Sequence, residues 1–176
     1  MKKTSPLLLT LVLFVLAGAS APAKAQAVEP LLISGGDESA GSKTGRYLEQ
    51  DVLDLINKER IANSLPPLVW NQKVADMARQ HSKDMGWNNY FNHRGLDGKM
   101  VTDRAEAFGI NWQMIGENIA MVGGFSDPIQ HVVEGWMNSP GHRKNILEPR
   151  WKESGIGIFI NSNGTYYFTQ VFVVKD

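Results

Sequence analysis

Gly155-Ile156-Gly157-Ile158-Phe159-Ile160, followed by Asn163-Gly164 and then Tyr166-Tyr167-Phe168-Thr169-Gln170-Val171-Phe172-Val173-Val174, is the stretch in which the hydrophobic period of the chain changes. Three isoleucines recur at every second residue, Asn-Gly is a turn pair, and the segment beyond it is dense in aromatic and β-branched side chains. The pattern predicts a terminal β-hairpin. Gly155 and Gly157 fit close packing at the strand better than contact with a ligand.

Towards the N-terminus the period is helical. Asp127 caps a helix with Pro128 at its first position, and Ile129, Val132, Val133 and Trp136 follow on one stripe, which makes Trp136 a core residue. Thr102 is the cap candidate for a short helix over Asp103 to Phe108, closed by Gly109. Asn71 caps a helix over 72–86, with Val74, Met77, Ala78, His81 and Met85 on one face. Leu48, Val52, Leu55, Ile56 and, less regularly, Ile61 predict a helix over 46–62, ended before Pro66-Pro67. Helices first and an antiparallel pair last imply an α+β domain over 46–176, its helices packed on a small, mostly antiparallel sheet.

Residues 26–45 carry Ser34, Gly35-Gly36, Ser39, Gly41 and Ser42, and read as a flexible tether. Residues 1–25 read as a secretory signal. Lys2-Lys3 precedes an apolar stretch from Leu7 to Leu16, too short to cross a hydrocarbon core of about 30 Å, and Ala23-Lys24-Ala25 suits cleavage after Ala25. The expected destination is the periplasm or the medium, with no integral membrane segment after processing.

The 176 residues hold 18 basic and 18 acidic side chains and no cysteine. A domain of this size buries enough surface to need neither disulfides nor a structural metal, and a monomer is expected. The absence of clustered Lys and Arg argues against a nucleic-acid partner. A thiol nucleophile is excluded, and no His-Glu-x-x-His, Gly-x-Ser-x-Gly or Gly-x-x-x-x-Gly-Lys motif is present.

Histidines and isolated acids are left as candidates. His81, on the apolar face of its helix, reads as an imidazole hydrogen-bonded within the core, and His131, off its helix's apolar stripe, is expected to be solvated. His93 lies in a loop after Tyr90-Phe91-Asn92, either facing a cleft or simply anchored by its aromatic neighbours. Glu117 and Asn118 lie within Ile115-Gly116-Glu117-Asn118-Ile119-Ala120, where a carboxylate among residues that want burial must be paired or coordinated. His142 follows Ser139-Pro140-Gly141, a turn that exposes the imidazole, and Asn145 reads as an amide holding the same loop. Two histidines with a carboxylate supply either a divalent-metal site with open positions or an acid–base pair, and spacing does not choose between them.

Taken in order, Leu55-Ile56-Asn57-x-x-Arg60, Leu65-Pro66-Pro67-Leu68, Ala78-x-x-His81-Ser82-x-Asp84-Met85, Phe91-Asn92-His93, Gly116-Glu117-Asn118-Ile119-Ala120, Trp136-x-x-Ser139-Pro140-Gly141-His142-x-x-Asn145-Ile146-Leu147 and Gly155-Ile156-Gly157 resemble the CAP superfamily, the cysteine-rich secretory, antigen 5 and pathogenesis-related proteins that share the SCP domain. The resemblance runs from Tyr47 to Val173. It implies an α-β-α sandwich and a central cleft that in many members carries two histidines and two glutamates. His93 and His142 match the histidines and Glu117 the first glutamate. Near the second stands Ser139, with Glu134 on the preceding helical turn. Some members bind divalent cations in this cleft, some bind sterols or fatty acids, and proteolysis has been proposed for a few, so the resemblance implies the fold more than the reaction.

Three functions follow as expectations. The first is an exported binding module for a lipid, a cell-envelope component or a protein, using His93, Glu117, His142, Ser139, Asn118 and Asn145. In this reading a divalent cation (Zn2+, or Ca2+ or Mg2+) is held by His93, His142 and Glu117. The second is a hydrolase in which Glu117 or His93 is the base and His142 the acid or ligand, Ser139 being more simply a turn or cap residue. The third is a structural or stress-related envelope protein.

Overall fold

The computed structural model describes residues 38–175. Helix α1 spans Glu38–Ala62 and β1 Val69–Trp70, followed by α2 Gln72–Trp87, α3 Val101–Ala107 and β2 Met114–Val122. Helices α4 Pro128–Asn138 and α5 Pro140–Ile146 precede the hairpin strands β3 Glu153–Ile160 and β4 Tyr166–Val174. The fold is α+β, with five helices among the described residues packed on one four-stranded sheet of order β1-β3-β4-β2. Only the short β1–β3 pairing is parallel.

The local signals explain most of these boundaries. Asn71 accepts from the Val74 amide at 3.1 Å at the start of α2, and Asp127 accepts from Gln130 at 2.9 Å at the start of α4, ahead of Pro128. Gly164, at φ 75, sits in the hairpin turn where Asn161 N and Thr165 O meet at 3.0 Å. Two expectations are corrected. Helix α1 begins at Glu38, inside the segment read as a tether over 26–45, because Glu38 to Gly45 is small and polar and carries no apolar stripe for periodicity to detect. Helix α3 begins at Val101 rather than after Thr102: the Met100 amide donates to Asp103 at 2.7 Å, so the carboxylate inside the helix does the capping. The signal and the rest of the tether lie outside the described residues.

The hairpin alternation sorts the core into two layers. Ile156, Phe168 and Phe172 face α1 and α4, packing with Val52, Leu53, Ile56, Val133 and a fully enclosed Trp136. Val171 and Val173 face the other way, against Val74, Met77 and Ala78 of α2 and Ala105 of α3. The sheet is therefore sandwiched between α1, α4 and α5 on one face and α2 and α3 on the other. Gly155 and Gly157 fall on the α2 face, and a Cβ at either would run into the α2 backbone at Ala75 or Arg79. Close packing explains both glycines.

Candidate functional site

Strand β2 is an edge strand, paired with β4 and free on its other side. Its alternate residues face different layers. Glu117 is opposite Val171 on the α2 side, and Asn118 is opposite Gln170 on the α1 and α4 side. Both are buried, so each polar side chain must find its partners inside the protein.

Glu117 uses both carboxylate oxygens. His93 Nδ1 donates to Oε1 at 2.8 Å, and Arg104 Nη2 donates to Oε2 at 2.6 Å from helix α3. Burial works to raise the Glu117 carboxyl, but the His93 hydrogen bond and the Arg104 charge outweigh it and hold the group below the usual carboxylate range. Arg104 also donates to the carbonyls of His93 and Lys99, both at 3.1 Å, and so ties down the loop that carries His93. Because an ionised carboxylate only accepts, His93 Nδ1 carries the proton of this bond, and Nε2 is the ring nitrogen that Glu117 leaves unengaged.

On the opposite face, Asn145 Nδ2 donates to Asn118 Oδ1 at 2.9 Å and to the Glu117 carbonyl at 3.2 Å, while Asn118 Nδ2 reaches the His142 carbonyl at 3.3 Å. Trp136 Nε1 donates to the Ile119 carbonyl at 3.2 Å, and Trp151 Nε1 to Asn145 O at 2.8 Å. These bonds fasten α5, and His142 with it, along β2. The His142 imidazole is half-buried near Trp136, with ring centroids 6.5 Å apart. Burial first, and the neighbouring His93 charge second, lower its pKa. The two histidines are therefore tied to neighbouring residues of the same strand, on different layers.

The remaining candidates separate from this group. Ser139 is buried at the junction of α4 and α5, where its carbonyl accepts the Arg143 amide at 2.8 Å. Glu134 is exposed and bonded to Gln130 at 2.8 Å, away from the cleft residues. His81 is enclosed and donates from Nε2 to Asn92 O at 3.0 Å, which anchors the same loop, and burial lowers its pKa. His131 is not simply solvated: it is half-buried and stacks on Phe125 with centroids 3.6 Å apart.

No group of three or more His, Cys, Asp or Glu side chains among the described residues is arranged to hold an ion. Glu117 faces Arg104, a fixed positive charge, and accepts the hydrogen bond that orients His93. Arg104 is the site residue that sequence reading missed. It sits on a short helix without a motif, and the one available sign was that a buried Glu117 demanded a cation from somewhere.

A sandwich of this topology defines the class, and the comparisons agree. The chain belongs to the CAP family: the profile described as "Cysteine-rich secretory protein family" matches residues 53–172. It is 39% identical over 137 residues to the uncharacterized protein YkwD of Bacillus subtilis (strain 168), covering 78% of this chain and 51% of YkwD. The uncharacterized membrane protein YlbC of the same organism is 39% identical over 127 residues, covering 72% of this chain and 34% of YlbC. The chain thus spans about half or less of the curated relatives it matches. A solved extracellular protein containing a SCP domain from Bacillus anthracis str. Ames superposes with TM-score 0.69 at 35% identity, over 81% of this chain and 45% of that one.

Proposed function

We propose that this CAP domain is a binding module that works outside the cytoplasm, recognising a lipid, cell-envelope or protein ligand in the cleft where His93 and His142 flank β2. One observation carries the reading: both oxygens of Glu117 are taken, by His93 and Arg104. The buried acid is thereby committed to His93 and Arg104, and Ser139 sits at a helix junction where its side chain makes no capping hydrogen bond. What the cleft presents to a ligand is two oriented imidazoles, suited to accepting a hydrogen bond or to sharing a divalent cation. Export is supported by the signal pattern at 1–25 and by the likeness to an extracellular Bacillus anthracis protein. No helix among the described residues is long and apolar enough to cross a membrane.

A second reading is favoured by the His93–Glu117 pair itself. A carboxylate on Nδ1 makes Nε2 a better proton acceptor, so His93 would serve a hydrolase as base, with His142 as acid. The test is turnover. Purified protein is incubated with casein and with p-nitrophenyl esters beside the His142→Ala variant, and binding alone predicts no hydrolysis that the variant abolishes. Hydrolysis lost in His142→Ala would replace the first reading with the second.

A further inference from the structure

A second concavity lies on the other side of Arg104. It has a volume of about 720 Å³, within the range of small-ligand sites. Arg104 and His81 form part of its lining, α2 contributes Gln80, Lys83, Asp84 and Trp87, and the loop 95–99 and Phe108 complete it. Trp87 is 71% exposed at the last residue of α2, and Leu96 across the groove is 67% exposed. Neither is needed by the core clusters, and two large apolar side chains facing one groove mark a contact surface.

The charges in this groove are already balanced from within. Lys99 pairs with Asp97 at 2.9 Å, Arg104 with Glu117 at 2.6 Å, and Asp84 accepts from the Tyr90 hydroxyl and from Asn88 Nδ2. A phosphate polymer needs unpaired cations, and the groove does not supply a row of them. A purely apolar ligand leaves the polar rim without partners. What remains is a ligand with one apolar face for the indole and many neutral hydroxyls for the Gln80 amide and the Lys83 and Lys99 ammonium groups. The pyranose ring has that chemistry, since its axial C–H edge meets the negative face of an aromatic ring. Lys83 Nζ lies 5.8 Å over the Trp87 ring, in cation–π contact with the indole. The opposite wall is preformed: Gly95 N donates to Lys99 O at 2.9 Å, Lys99 N to Asp97 Oδ1 at 3.0 Å, and Arg94 to Gly98 O at 2.7 Å. Little ordering cost is left to be met on binding.

We infer that this groove is a glycan site, in which Trp87 stacks on a pyranose and Leu96 with Phe108 receive the methyl of an N-acetyl substituent. The inference does not rest on the His93–His142 cleft. The probes are the N-acetylglucosamine tetramer and cellotetraose, titrated calorimetrically into the purified protein and its Trp87→Ala, Trp87→Phe and His142→Ala variants. Wild type is expected to bind the N-acetylated tetramer saturably at millimolar affinity or tighter, with Trp87→Ala weaker by at least about 10-fold. Trp87→Phe keeps most of the binding, and His142→Ala all of it. Cellotetraose binds more weakly because it lacks the acetyl group. Failure of wild type to bind either sugar, or equal binding by wild type and Trp87→Ala, overturns the site. Equal binding of the two tetramers overturns the acetyl assignment, and a parallel loss in His142→Ala overturns its separation from the cleft. Trp87 is exposed, so an unchanged melting temperature in Trp87→Ala shows that a loss of binding is not a loss of fold.

Discussion

Arg104 lies on a seven-residue helix, yet it sets what Glu117 is able to do. A buried carboxylate without its cation is an uncompensated charge, and breaking such a pair by removing one partner costs about 3–5 kcal/mol. Arg104 keeps slight solvent access, with its side chain 11% exposed, so Arg104→Ala is expected to destabilise by about 3 kcal/mol in guanidinium denaturation. Adding Glu117→Gln should recover part of that loss, since the orphaned charge is then gone. The same residues set the response to acid. The folded Glu117 pKa is depressed, so its stabilisation is complete above the ordinary carboxylate value of about 4.3 and disappears as pH falls through the folded value. His81 and His142 are depressed by burial, so below pH of about 6.5 the unfolded chain takes up protons that the folded chain refuses. The melting temperature is expected to fall from pH 7 to pH 5 by about a few degrees, with a shallower fall in His142→Gln. A melting temperature that rises on acidification would contradict both burial arguments.

At the level of elements, the protein closes both open sides of its sheet with side chains. Along β2, Asn145 and Trp136 occupy the Glu117 and Ile119 carbonyls. Along β3, beyond the short β1, the buried Glu49 of α1 accepts the Ile158 amide at 3.2 Å and is gripped by Arg79 of α2. Such covering prevents edge-to-edge pairing and here also joins helices of different layers. Asn145→Ala is expected to cost about 1–2 kcal/mol and to weaken any ligand held by His142, read by denaturation and titration together. Gly157→Ala is expected to cost more than about 3 kcal/mol, because the added methyl meets α2 backbone, which cannot rotate away. The hairpin, α2 and α4 could be read from sequence because period, cap and turn residues agreed. Strand β2 could not, since both of its faces are covered and Glu117-Asn118 interrupts the apolar run. Helix α5 reads as a turn in the sequence because Pro140-Gly141 opens it and only seven residues follow the helical path.

For the whole molecule, the three layers are what bring His93 and His142 to the strand that carries Glu117 and Asn118. His93 comes from the loop behind α2 and His142 from α5 on the other face, and their sequence separation gave no hint of which layer either would occupy. Only the family resemblance implies that His93, Glu117 and His142 share a cleft; their spacing along the chain does not. The division of labour appeared only with the hydrogen bonds: Glu117 and Arg104 hold the loop of His93, while Asn118 and Asn145 fasten the helix of His142. Exposed Trp87 and the groove beside it add a second surface whose contents do not depend on the first.

That division is tested most directly by calorimetric titration of the purified protein with Zn2+, Ca2+ and Mg2+, beside His93→Ala, His142→Ala and Glu117→Gln. A cleft built from two imidazoles predicts saturable Zn2+ binding that either histidine variant abolishes. Glu117→Gln should weaken it by about 10–100-fold, as expected for an orienting partner and not a ligand. Zn2+ binding unchanged in either histidine variant, or none in the wild type, would contradict the shared site.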